Sequence, residues 1–225
     1  MISTLSSTQL DKFLGPNHGL PNLTANPSAT VSVVTLVFPA PFPGSKLPAY
    51  HPPGFGYLVP RSNDSNPNGI LGCVFDSSAM GTVDPPAVQD KVVKFTLMIG
   101  GPHYIPPTII NPPKDSQDLI PIALAHLRET MPDLPSDLEP IIAYAETHKD
   151  CIPTYRPGHG ARMRELGEKL AASRWSGKLM VAGASYGGVS LNDCVNGGMS
   201  LAERIVEAEG GSKVVTGLER WATWE

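Results

Sequence analysis

Gly183-Ala-Ser185-Tyr-Gly187 carries the spacing G-x-S-x-G, which sets a serine hydroxyl at the tip of a strand-to-helix turn, where it can attack an acyl carbon. Such a serine needs a base to take its proton, and in that arrangement an acid and then a histidine follow it along the chain. The six histidines, His18, His51, His103, His126, His148 and His159, all precede Ser185. Only a permuted triad would keep a serine hydrolase. The same turn suits a second chemistry. Glycines at 183, 187 and 188 allow close backbone approach, and a helix N-terminus offers N–H groups and a positive dipole end to an electron-rich ligand. Asn192, Asp193 and His159 are of catalytic type, but the first two suit a helix cap and His159 a structural position. No residue is assigned as catalytic.

The turn needs a strand before it and a helix after it. Leu179–Ala182 is apolar, and Val195, Met199, Ala202 and Val206 recur at helical spacing, with Asn192 or Ser190 as cap. Upstream, Val31–Phe38, Phe55–Pro60, Ile70–Phe75, Val92–Ile99 and Ile141–Glu146 read as strands. In Val92–Ile99 the residues Phe95, Leu97 and Ile99 point one way and Lys94, Thr96 and Met98 the other. Helices are expected over Ser7–Leu14, around Ile120–Leu127 with Ser116 or Asp118 as cap, and over His159–Ser173. Residues 102–118 form a proline-rich loop.

The order implies an α+β fold: an antiparallel sheet, then a strand-turn-helix unit. Leu179–Ala182 has no obvious parallel partner, so the bottom-up expectation is that something is missing beside it.

A net charge of −4 over 225 residues leaves no basic footprint, so no nucleic acid is expected as a partner. With 24 prolines and 22 glycines the chain is rich in turns. Cys73, Cys151 and Cys194 are odd in number and far apart, which supports neither a disulfide framework nor a zinc site; no metal is expected. No run of 18 apolar residues is present, and the N-terminus lacks the pattern of a signal or transit peptide. Asn22-Leu-Thr and Asn63-Asp-Ser are read as chance sequons.

The run Leu179-Met-Val-Ala-Gly-Ala-Ser-Tyr-Gly-Gly-Val-Ser-Leu-Asn-Asp-Cys-Val-Asn-Gly197 resembles the C-terminal signature of oxygen-dependent protoporphyrinogen oxidases, of the flavin amine oxidase superfamily. Gly54–Pro60, Leu71–Ser77, Thr96–Gly101 and Cys151–His159 agree with it in the same order. The resemblance covers about residues 30–205. It departs at Gly160, where an aromatic is common, and at Gly197-Gly198, each glycine weakening a helix by about 1 kcal/mol relative to alanine.

What the resemblance implies is an enzyme that oxidises protoporphyrinogen IX to protoporphyrin IX in haem biosynthesis. FAD accepts hydride equivalents and O2 reoxidises it, giving H2O2. No G-x-G-x-x-G fingerprint of a dinucleotide-binding unit is present, so the chain is expected to be a C-terminal half, inactive alone. Residues 1–146 would belong to the substrate-binding domain and 147–225 would return into the Rossmann-like FAD-binding domain. Gly183, Val189, Ser190 and Leu191 would contact FAD, with Thr147 as a further contact. Phe55, Gly56, Leu58, Met98 and Val74 would line the tetrapyrrole pocket. Without the resemblance, Phe55 and Leu58 read as core strand residues and Met98 as filler. Family members imply peripheral association with the mitochondrial inner membrane and a homodimer at full length. A non-catalytic remnant of the fold, or an interaction module, is the alternative from another class.

Overall fold

Val93, Phe95, Leu97 and Ile99 are buried while Lys94, Thr96 and Met98 between them are half-buried, the two-residue period of a strand with one core face. The computed structural model describes residues 1–41, 50–60, 66–104, 113–208 and 214–223. In chain order its elements are β1 (Ile2–Ser3), α1 (Ser7–Leu14), β2 (Ser28–Pro39), β3 (Gly56–Leu58), β4 (Ile70–Phe75), α2 (Asp76–Ala79), β5 (Val92–Gly100), α3 (Leu119–Thr130), β6 (Ile142–Pro153), α4 (His159–Ala172), β7 (Met180–Val181) and α5 (Leu191–Ala208). They form two compact units, one of Met1–Ser28 with Ile152–Glu225 and one of Ala29–Cys151. The sequence placed a single boundary at 146/147; contacts place boundaries at 28/29 and 151/152.

The Ala29–Cys151 unit holds a five-stranded sheet in the order β3-β4-β5-β2-β6. β2/β5, β3/β4 and β4/β5 are antiparallel. The Ile141 N–H meets the Val37 carbonyl and the Thr154 N–H the Pro27 carbonyl, so β6 also runs against β2. On one face, Leu119, Ala123 and Leu127 of α3 recur every four residues and close a core with Leu36, Phe38, Phe95 and Leu97. β4 carries a bulge: Ile70 pairs with Ile99, but Gly72 pairs with Met98. The extra residue puts Ile70, Cys73 and Phe75 in the core and sends Gly72 and Val74 to the other face, which plain alternation would not do. Residues 101–104 and 116–118 are short 3-10 turns, and residues 105–112 of the proline-rich loop lie outside the described residues.

In the other unit, β7 pairs in parallel with β1, Ile2 against Met180 and Ser3 against Val181. The expectation that this strand lacks a partner is thus corrected: the N-terminal residues supply one, and the Thr216 carbonyl accepts the Val181 N–H on the opposite edge. The core joins Leu10 of α1, Met163, Leu166 and Leu170 of α4, and Val181, Tyr186, Leu218 and Trp221. Along α5 only Leu201 is buried.

Candidate functional site

β7 ends in Gly183, whose φ of 107° turns the chain through the left-handed region that glycine enters without strain. The Tyr186 N–H closes the turn on the Gly183 carbonyl at 3.1 Å. At its far end Ser190 caps α5. Its hydroxyl accepts the Asp193 N–H at 3.0 Å while the Asp193 carboxylate accepts the Ser190 N–H at 3.2 Å and hydroxyl at 2.7 Å, a reciprocal capping box. The Ser190 hydroxyl bond, with the Ser190 N–H, holds the Asp193 carboxyl below the usual range. A Cβ at Gly188 would overlap that carboxylate, so glycine there is what lets Asp193 fold back. Val189, Ser190 and Leu191 are exposed, and the first turn of an 18-residue helix leaves N–H groups outside the intrahelical ladder.

Beside the turn lies a cavity of about 330 Å³, bordered by Gly183, Tyr186, Asn196, Ser200, Arg204 and Arg220. The Arg220 Nη1 donates to the Gly187 carbonyl at 2.6 Å, and its guanidinium stacks over Trp221. Arg204 Nε stands 3.8 Å from Glu219 Oε2. Burial pushes the Glu219 carboxyl up, but bonds from Thr216 and Gly217 outweigh it and hold the group below its ordinary value. Arg204, Arg220 and Glu219 escaped the sequence reading because no motif or periodicity marks them.

In the sheet unit, residues paired directly across strands share a face. Gly56 pairs with Val74, Leu58 with Gly72, and Gly72 with Met98. Gly56, Leu58, Val74 and Met98 therefore come together on the face opposite α3. Leu58 is 82% exposed and Phe55, at the head of β3, is 70% exposed, which corrects the reading of both as core residues. Gly56 has a backbone reason of its own: a Cβ there would overlap the Cys73 carbonyl of β4.

Thr147 lies in β6, in the other unit from Gly183, Val189, Ser190 and Leu191. Its hydroxyl bonds those of buried Ser32 and of Ser116, each at 2.8 Å. Ser185 is buried, and its Oγ accepts the Ser7 N–H at the start of α1. The three cysteines are free thiols, and burial pushes buried Cys73 up to about 12.

No protein-family model matches the chain. The protoporphyrinogen oxidase of Schizosaccharomyces pombe is 30% identical over 198 residues, 86% of this chain and 37% of that protein. Those of Macaca fascicularis and Homo sapiens are 33% and 32% identical over 216 and 214 residues, each match taking in 93% of this chain and 40% of the relative. This chain is a protoporphyrinogen oxidase homologue. It spans about two-fifths of the length of these oxidases. Among solved structures, a candidate protoporphyrinogen oxidase from Exiguobacterium sp. 255-15 superposes with a TM-score of 0.66 at 22% identity, over 91% of this chain and 40% of that one. Reduced UDP-galactopyranose mutase superposes at 0.52 and 13% identity, over 76% and 33%. The mixed α/β fold with its antiparallel sheet is shared with both.

Proposed function

We propose that this chain carries the C-terminal part of the flavin and porphyrinogen sites of an FAD-dependent protoporphyrinogen oxidase, the enzyme that oxidises protoporphyrinogen IX to protoporphyrin IX. The observation that carries the reading is the extent of the similarity: it takes in 93% of the chain, and so both the turn after β7 and the sheet with its exposed apolar residues.

The residues fit a flavin nucleotide. The start of α5 sets its dipole beside the turn, Arg204 and Arg220 line the cavity with Asp193 and Glu219 so that its charges balance, and about 330 Å³ suits one ring system rather than a whole dinucleotide. Gly183, Val189, Ser190 and Leu191 would hold it through the backbone. When bound, FAD supplies the two-electron acceptor. Phe55, Gly56, Leu58, Val74 and Met98 would orient the macrocycle by apolar contact. O2 as oxidant, peripheral association with the mitochondrial inner membrane and a homodimer belong to the same proposal. Among the described residues no helix is long and apolar enough to cross a membrane.

The test is to incubate the 225-residue chain with FAD, desalt it and record its absorbance. Retained flavin supports the reading, and porphyrin fluorescence then follows porphyrinogen oxidation. A colourless protein would overturn flavin binding by this chain and favour the non-catalytic remnant.

A further inference from the structure

The segment Tyr155–His159 and the turn after β7 are one device, although some 25 residues separate them. Tyr155 and His159 stack ring on ring, with centroids 3.8 Å apart and planes 6° from parallel. The Tyr155 hydroxyl donates to the Ala184 carbonyl, so this side chain is tied to the turn. His159 Nε2 lies 3.2 Å from the Tyr186 carbonyl, which also accepts the Trp221 indole N–H at 3.1 Å.

The surrounding bonds select the imidazole tautomer. The Asn26 side-chain oxygen accepts from Arg162 Nη2 at 3.0 Å and from the Arg156 N–H at 3.2 Å. Its amide nitrogen therefore faces His159 Nδ1, at 2.9 Å, and donates to it. Nδ1 being the acceptor, the ring proton sits on Nε2 and is given to Tyr186. Asn26 and His159 are both buried, where a misdirected donor would be costly.

We propose that Tyr155 and His159 are positioning residues that hold the 183–188 turn in one conformation, so that the backbone of Val189, Ser190 and Leu191 enters α5 in the orientation a flavin requires. This rests on the flavin reading above for its purpose, but the geometry of the turn can be tested without flavin.

The experiment is residue-resolved amide hydrogen exchange on the full chain, with Tyr155→Phe, His159→Phe and His159→Gln. Tyr155→Phe keeps the stack and loses the bond to the Ala184 carbonyl. Exchange at 183–191 should quicken roughly tenfold in it and in His159→Phe, with the amides of Ala29–Cys151 unchanged. His159→Gln restores an N–H donor and should recover part of the loss. FAD titrated by fluorescence quenching should bind roughly tenfold more weakly to the two phenylalanine variants, with an altered visible band. Unchanged exchange at the turn, or a loosened turn with unchanged FAD affinity, overturns the proposal. If the parent chain binds no FAD, the flavin reading falls and the exchange data alone decide whether these residues hold the turn. Should His159→Phe not fold, Tyr155→Phe carries the test.

Discussion

The backbone N–H of Ser7 donates to Ser185 Oγ at 3.0 Å, a bond between residues 178 apart in the chain. It satisfies one of the N–H groups that the first turn of α1 leaves open. Ser185 thereby anchors the start of a helix. Ser185→Ala should cost about 1–2 kcal/mol, read from the urea midpoint. A fluorophosphonate probe should not label the parent chain; labelling that Ser185→Ala abolishes would restore the hydrolase reading.

Two glycines should respond to alanine with opposite signs. Gly198 sits within α5, and a Cβ there meets nothing within 4 Å. Gly198→Ala should stabilise by about 0.5–1 kcal/mol, because alanine loses less backbone entropy in a helix. Gly217 has φ of 87°, and its Cβ would overlap the Val181 carbonyl of β7. Gly217→Ala should cost about 1–3 kcal/mol or more. Melting midpoints of the two variants, moving apart from that of the parent, check both.

His51, His126 and His159 are all held below the ordinary 6.5 by burial first. For His51 the Pro52 carbonyl, for His126 nearby Glu129 and for His159 the Tyr186 carbonyl act in the other direction, and Arg162 and Arg220 lower His159 further. In the window between each folded value and 6.5 the unfolded chain binds more protons, so stability rises with pH there. It is fully present above 6.5 and lost as pH falls below it. Urea midpoints between about pH 5 and 8 should show this. His51 stacks on Phe75 at 4.1 Å, and His51→Phe should keep that contact and flatten the dependence.

Leu58 projects from the sheet face opposite α3 with 82% of its surface in water. A charge there has no core to disturb but would oppose an apolar macrocycle. Leu58→Glu should leave the melting midpoint within about 0.5 kcal/mol of the parent. Binding of protoporphyrin IX, followed by fluorescence, should weaken roughly tenfold. Equal affinity would remove Leu58 from the substrate wall.

Legibility followed the range of the interactions. The alternation of Val92–Ile99 and the helix from His159 were readable, and the cap of α5 was narrowed to Asn192 or Ser190, since period and capping lie within a few residues. The family was readable because five short stretches kept their order. The partner of β7 was not, because two residues carry no period and parallel pairing reaches from Ile2 to Met180, 178 positions away. Nor was the bulge at β4, which moves Val74 to the same face as Met98 only once its neighbours are in place. Ser185 shows the difference most plainly. Its local pattern matched a nucleophile, and only packing against α1 decided that its oxygen accepts an amide proton. Tyr155 and His159 likewise took their role from the turn they hold, since a hydrogen bond is defined by where its two ends meet in space.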